Sequence, residues 1–278
     1  MNSYKIALIV AYFGKWPAWF DLYLYSCSRN PGIDFIYYTD CGLPRRVYTN
    51  TFFHQCSFQE YCDLVSEKLH IDFHPDNTYK LCDLKPFFGI IHSDILKDYD
   101  FWGFADIDLV FGQLNLLVNE SNLRRYDVIT SHADRIAGHF TLIRNKSQYT
   151  RYCLNIDNWE SRLSNAENDG MDEFRFTKVV IPWPDYLAKV IWGKLIRRII
   201  PQRQAYHFFY LWNKFSCRLP KRVLMKEMFT TFVPDPSKPC VVDLNTMRVT
   251  CPRNQRTWVV GGVLCISTSS FSRKLPIS

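Results

Sequence analysis

No apolar run in this chain of 278 residues approaches the roughly 20 that a membrane-spanning helix needs, so the sequence predicts no such helix. Ten cysteines are present but scattered, with no C-x-x-C pair and no Cys/His spacing of a zinc site. That excludes a zinc ribbon or a small disulfide framework, and the thiols read as reduced and cytosolic. Glycine is scarce at 11 residues, and Gly14 stands alone after the first apolar run, so no glycine-rich phosphate loop opens the chain. The amino end carries a single lysine, a short apolar run and no small-residue cleavage site, which reads as a strand and not a signal peptide. No internal repeat is visible.

What is present is 47% hydrophobic residues, enough to fill one large α/β domain. Lys5 to Ala11 is a β-branched run of the kind that forms a buried strand, Ala18 to Ser28 a helix stopped by Asn30-Pro31-Gly32, and Ile33 to Thr39 a second strand. This β-α-β unit predicts a parallel sheet. Phe52 to Gln55 reads as a third strand or a loop. Ser57-Phe58-Gln59-Glu60 has capping-box order, opening a helix to about Leu69. Pro86 suits the first turn of a helix over Phe87 to Leu96, flanked by Lys80 and Lys85, whose charge beside free backbone N–H groups would favour an anion. Further on, a helix is expected over Leu114 to Arg125, strands over Tyr126 to Ser131 and Ala137 to Ile143, and a helix over Tyr149 to Leu163.

The central stretch is Phe101 to Asp108. Phe101-Trp102-Gly103-Phe104-Ala105 reads as a strand covered on both faces, and Asp106 and Asp108 follow at its carboxyl end. Ligands of open α/β sheets bind there, and a carboxylate pair suits a hard divalent cation with places left for substrate phosphate. A second triplet, Asp98-Tyr99-Asp100, lies at the other end of the strand and reads as a solvated turn. Gly138 permits a close approach of backbone to ligand, His139 is a candidate donor to a sugar hydroxyl, and Asp172 and Glu173 are adjacent acids between apolar residues.

From Tyr186 to Lys226 cations recur with no acid among them, interleaved with Trp192, Tyr206, Tyr210 and Trp212, and they account for much of the net charge of +7. Leu187, Val190, Ile191, Leu195 and Ile199 approximate one helical face. This is the pattern of a helix lying in a membrane interface. The same mixture could grip RNA, but no RNA-binding module accompanies it.

The segments KIALIVAYFGKWPAWFDLYLYSC, YKLCDLKPFFG, YDFWGFADIDLVFG, YDVITS and AGHFTLIRN together resemble a family of bacterial glycosyltransferases of GT-A type from O-antigen and capsule gene clusters. The likeness spans Lys5 to Glu173. It implies a single Rossmann-like mixed sheet flanked by helices, placed at residues 1–182; the basic, aromatic composition of residues 183–278, not the likeness, predicts a membrane-facing helical region and tail. The likeness implies that Asp106 and Asp108 bind Mn²⁺ or Mg²⁺, with Asp106 also reaching ribose. Lys80, Asp83 and Lys85 would line the nucleotide or sugar pocket, and Gly138 and His139 would face donor sugar or acceptor. Asp172 or Glu173 falls where the family's late acidic motif lies and is the candidate catalytic base. A late metal-binding histidine is common in such enzymes, but none follows His207 here.

The expectation is therefore transfer of a hexose, UDP-galactose first and UDP-glucose next, to a lipid-diphosphate-linked sugar at the inner face of the cytoplasmic membrane. Two other readings stay open: a metal-dependent nucleotidyltransferase, which needs the same carboxylate pair, and a transferase-like scaffold without catalysis.

Overall fold

The computed structural model describes residues 4–132 and 135–181 in full, and the backbone of the strands at 223–225, 241–243, 248–251 and 256–259. The expected basic amphipathic helix, its aromatic anchors and His207 lie outside the described residues.

The domain is built on a mixed sheet in the order β3-β2-β1-β4-β6-β5, extended beyond β5 by β7. The strands are β1 (Ile6–Ala11), β2 (Asp34–Thr39), β3 (Thr51–Gln55), β4 (Phe101–Ala105), β5 (Val128–Thr130), β6 (Phe140–Arg144) and β7 (Val223–Met225). β1, β2, β3 and β4 run parallel, and β6 is inserted antiparallel to both β4 and β5. Strands β8 (Val241–Asp243), β9 (Arg248–Cys251) and β10 (Arg256–Val259) form a separate antiparallel sheet in a region expected to be helix and tail. Through β7 the late region also returns to the main sheet, beside β5.

β1 and β4 carry no polar alternation because both faces are covered. Ile6, Leu8 and Val10 pack into one hydrophobic core, and Ala7 and Ile9 into the other. β4 divides likewise, with Phe101 and Ala105 on the first side and Trp102 and Phe104 on the second. Helix α1 (Phe20–Ser28) covers the first face through Phe20, Tyr23, Leu24 and Cys27. Helix α2 (Phe58–Leu69) covers the second through Tyr61, Cys62, Val65 and Leu69. At Gly103 a Cβ would stand 2.2 Å from the Thr141 carbonyl oxygen, so only glycine lets β6 approach β4 here.

The capping box forms as its residues predict: Glu60 N–H donates to Ser57 Oγ (3.1 Å), and Ser57 N–H donates to Glu60 Oε2 (2.7 Å). Asp98 and Asp100 are exposed, and Asp100 accepts the Lys5 N–H at 2.8 Å, which makes the second triplet a surface turn.

Three expected helices differ. The helix expected over Phe87 to Leu96 shortens to α3 (Phe88–Ile91), and Pro86 lies inside a 3₁₀ helix, Thr78–Phe87, that precedes it. At three residues per turn Lys80 stacks over Asp83, and their buried ion pair at 3.0 Å favours that winding over an α-helix. Leu114 to Arg125 divides into a 3₁₀ turn (Leu114–Leu116) and α4 (Glu120–Arg125), which Asn119 caps by accepting the Asn122 N–H. Tyr149 to Leu163 breaks into α5 (Ser147–Thr150), a 3₁₀ turn (Tyr152–Asn155) and α6 (Trp159–Ser164). Ile156 turns extended after the 3₁₀ turn, and Asn158, which precedes α6, adopts a left-handed φ of 54°, a conformation asparagine tolerates.

Candidate functional site

Chain order reverses beside β1: β2 and β3 extend the sheet one way, and β4 lies on the other side. The loops leaving β1 and β4 diverge at that switch point and open a crevice. A cavity of about 670 Å³ lies there. Tyr12 and Phe13 of the β1 loop wall it on one side, and Asp106 and Asp108 of the β4 loop on another. Trp19 fastens the β4 loop by donating its indole N–H to the Ile107 carbonyl at 3.1 Å.

Lys85 sits between two acids. Its ammonium donates to Asp106 Oδ1 at 2.6 Å and to Asp172 Oδ2 at 3.2 Å. Burial alone would depress this ammonium, but Asp106 and Asp172 outweigh it and hold the lysine more basic than usual. Asp172 comes from a single π-helical turn, Met171–Arg175, a rare geometry that recurs at functional sites. Burial raises its carboxyl to about 6, an effect the Lys85 charge partly offsets.

Asp108 differs from its neighbours. Its Oδ1 is buried without a hydrogen-bond partner, and burial, with the Asp106 charge next, raises its carboxyl to about 6. The Asn168 amide Nδ2 is also buried without a partner in this wall, while Asn168 Oδ1 accepts the Gly170 N–H. Orphaned polar atoms beside a cavity mark places where a ligand can complete the bonding.

Of the residues predicted from sequence, the structure brings Lys85, Asp106, Asp108, Gly138, Asp172 and Glu173 together around this cavity. Gly138 is needed there: a Cβ would stand 2.3 Å from Asp172 Oδ2. Glu173 accepts from Gly138 N–H (3.3 Å) and from Arg135 Nε (3.2 Å).

Lys80 and Asp83 do not line the cavity, contrary to expectation. Both side chains are fully buried behind it, because a lysine placed beside an aspartate one 3₁₀ turn away satisfies itself inside the protein. Lys80 Nζ donates to the Arg162 and Glu167 carbonyls at 2.7 and 2.6 Å. Asp83 accepts the N–H groups of Asp169 (2.8 Å) and Met171 (2.9 Å). The pair thus anchors the loop that delivers Asp172. His139 is also absent from the cavity wall: the chain turns at 138–139 before entering β6, Gly138 takes the cavity side, and His139 is buried with Nε2 2.8 Å from Ser131 Oγ.

Sequence reasoning missed Asn168, Tyr79 and Phe174 as cavity residues. Tyr79 and Phe174 are 69% and 58% exposed, the two described aromatic rings most open to solvent, and both stand on this wall. Nothing in the local sequence marks them, since only the fold brings 79 and 174 to one opening.

Residues 8–219 match a protein family of unknown function, DUF6625, and the chain belongs to that family. Comparison with curated proteins gives no match. No helix among the described residues is long and apolar enough to cross a membrane.

Proposed function

We propose that this protein is a GT-A-type glycosyltransferase that moves a hexose from a nucleotide diphosphate, UDP-galactose first and UDP-glucose next, to a lipid-diphosphate-linked sugar. The observation that carries the reading is the switch-point cavity into which β4 delivers Asp106 and Asp108, the latter with a buried, unsatisfied carboxylate oxygen. The donor set fits a hard dication: two carboxylates, one with an orphaned oxygen, beside a space large enough for substrate phosphate. Asp108 and Asp106 would hold Mn²⁺ or Mg²⁺, which supplies neutralisation of the charge developing on a departing diphosphate.

The chain's own groups divide the remaining work. Lys85 fixes Asp106 and Asp172 relative to one another through its two contacts. If the anomeric centre inverts, the acceptor hydroxyl must lose a proton, and Asp172 is the better base of the two candidates. A carboxyl raised to about 6 is poised near neutrality, whereas Glu173 is engaged by Arg135 and the Gly138 N–H. Tyr79 and Phe174, exposed on the cavity wall, offer flat apolar faces against which a pyranose ring can lie.

Residence at the inner face of the cytoplasmic membrane, where such an acceptor is held, rests on the basic aromatic sequence from Tyr186 to Lys226. A nucleotidyltransferase would use the same acids, but its usual glycine-rich phosphate loop is missing from the chain.

Calorimetry with UDP and Mn²⁺, followed by UDP release from a panel of UDP-sugars with a synthetic lipid-diphosphate acceptor, tests the reading. Binding that disappears in Asp108→Ala is expected. No heat with UDP, or full turnover by Asp108→Ala, refutes the proposal and leaves the scaffold reading.

A further inference from the structure

A second cluster stands behind the Gly138 side of the cavity. His132, His139 and Glu173 each offer one ligand atom, and these atoms lie within 4.8 Å of one another. Three elements supply them: the exit of β5, the entry to β6 and the π-helical turn. The two imidazoles stand edge to face with centroids 4.6 Å apart, and His132 Nε2 is 3.9 Å from Glu173 Oε1. Water has limited access, because His139 is 6% exposed and the His132 and Glu173 side chains 16% and 26%.

Ligation would draw on one tautomer of His139. Ser131 Oγ lies 3.3 Å from the Phe140 carbonyl oxygen and 2.8 Å from His139 Nε2. With the ring proton on Nε2, His139 donates to Ser131 Oγ and the serine keeps its own proton for the Phe140 carbonyl. Nδ1 then carries the lone pair. An imidazole whose distal N–H is held by an outer partner is the usual arrangement at metal sites.

We infer that His132, His139 and Glu173 form a zinc site, independent of the reading of Asp106 and Asp108 given above. Two imidazoles and one carboxylate suit zinc with one position left for water or substrate, whereas Mg²⁺ prefers oxygen ligands alone. Two cation sites of different chemistry thus meet at one cavity, with Glu173 in the wall between them. Arg135 takes the cation's place when zinc is absent: its Nε is 3.2 Å from Glu173 Oε2 and its Nη2 3.4 Å from His132 Nε2. Zinc must displace this guanidinium, so Arg135 sets the affinity by competition.

The test titrates the metal-stripped full-length chain with Zn²⁺ alone by calorimetry, and with Co²⁺ by visible absorption, which reports nitrogen and oxygen ligation directly. One equivalent is expected to bind, to survive Asp108→Ala, to weaken by roughly tenfold or more in His132→Ala and in Ser131→Ala, and to tighten in Arg135→Ala. His132 is partly exposed, so its truncation spares the fold, which far-UV circular dichroism checks. Absence of zinc uptake at about 10 μM, affinity unchanged by His132→Ala, or loss of zinc in Asp108→Ala overturns the assignment. No nucleotide is used, so failure here and failure of the transferase reading are separate results.

Discussion

Removing the ammonium of Lys80 should unsettle the protein more than any surface lysine could. Both members of the Lys80–Asp83 pair are wholly buried, with Nζ 3.0 Å from Oδ2. Lys80→Met strands the Asp83 charge in the interior, with only the Asp169 and Met171 N–H groups left to it, and strips the Arg162 and Glu167 carbonyls of their donor. Breaking a buried pair from one side costs about 3–5 kcal/mol, so the urea midpoint should fall sharply. The double variant Lys80→Met/Asp83→Asn should lose less than the sum of the two single variants, because it leaves no unpaired charge behind. Urea unfolding followed by circular dichroism, carried around the full double-mutant cycle, gives the coupling directly. The same variants should lose turnover more steeply than stability, since Asp83 holds the loop that places Asp172. A loss under about 1 kcal/mol, or strictly additive singles, would show that the pair does not anchor this loop.

The buried His92 imidazole has Nε2 2.9 Å from Tyr61 Oη and an Nδ1 without a partner, and burial pushes its pKa down to about 3. The unfolded chain therefore takes up this proton first. The contribution is complete above about pH 6.5 and falls by about 1.4 kcal/mol per unit as pH drops toward 3; the fall should be absent from His92→Gln in denaturant titrations at pH 4, 5 and 7. Gly138→Ala drives a Cβ against Asp172 Oδ2, the atom Lys85 holds, so turnover should fall by tenfold or more while stability changes by only about 1 kcal/mol. Unchanged kinetics in that variant would remove Asp172 from the mechanism. Tyr79→Ala and Phe174→Ala should raise the acceptor KM and shift stability by no more than about 0.5 kcal/mol, measured by initial rates and thermal melts; an effect on kcat alone would contradict a stacking role.

Much of the site could be read before folding because its signals are local. The run Phe101 to Ala105 marks itself as doubly covered, and the acids that follow it must fall at a strand's carboxyl end. The capping box around Ser57 and the β-α-β opening are likewise short-range patterns. Lys80 and Lys85 show where that legibility stops. Five residues apart and alike in type, one turns inward to carbonyls eighty residues away and the other bridges two acids at the cavity.

The sequence by itself determined the β-α-β opening, the buried central strands and the delivery of Asp106 and Asp108 to a crevice, because hydrophobic period and capping chemistry act over a few residues. Only the tertiary structure decided the antiparallel insertion of β6, the 3₁₀ winding at Lys80 and Asp83, and the meeting of Asp172 with Lys85 and of His132 with His139 and Glu173. Those depend on which distant segments share one layer, and on whether a charge finds its partner inside the protein or at the cavity wall.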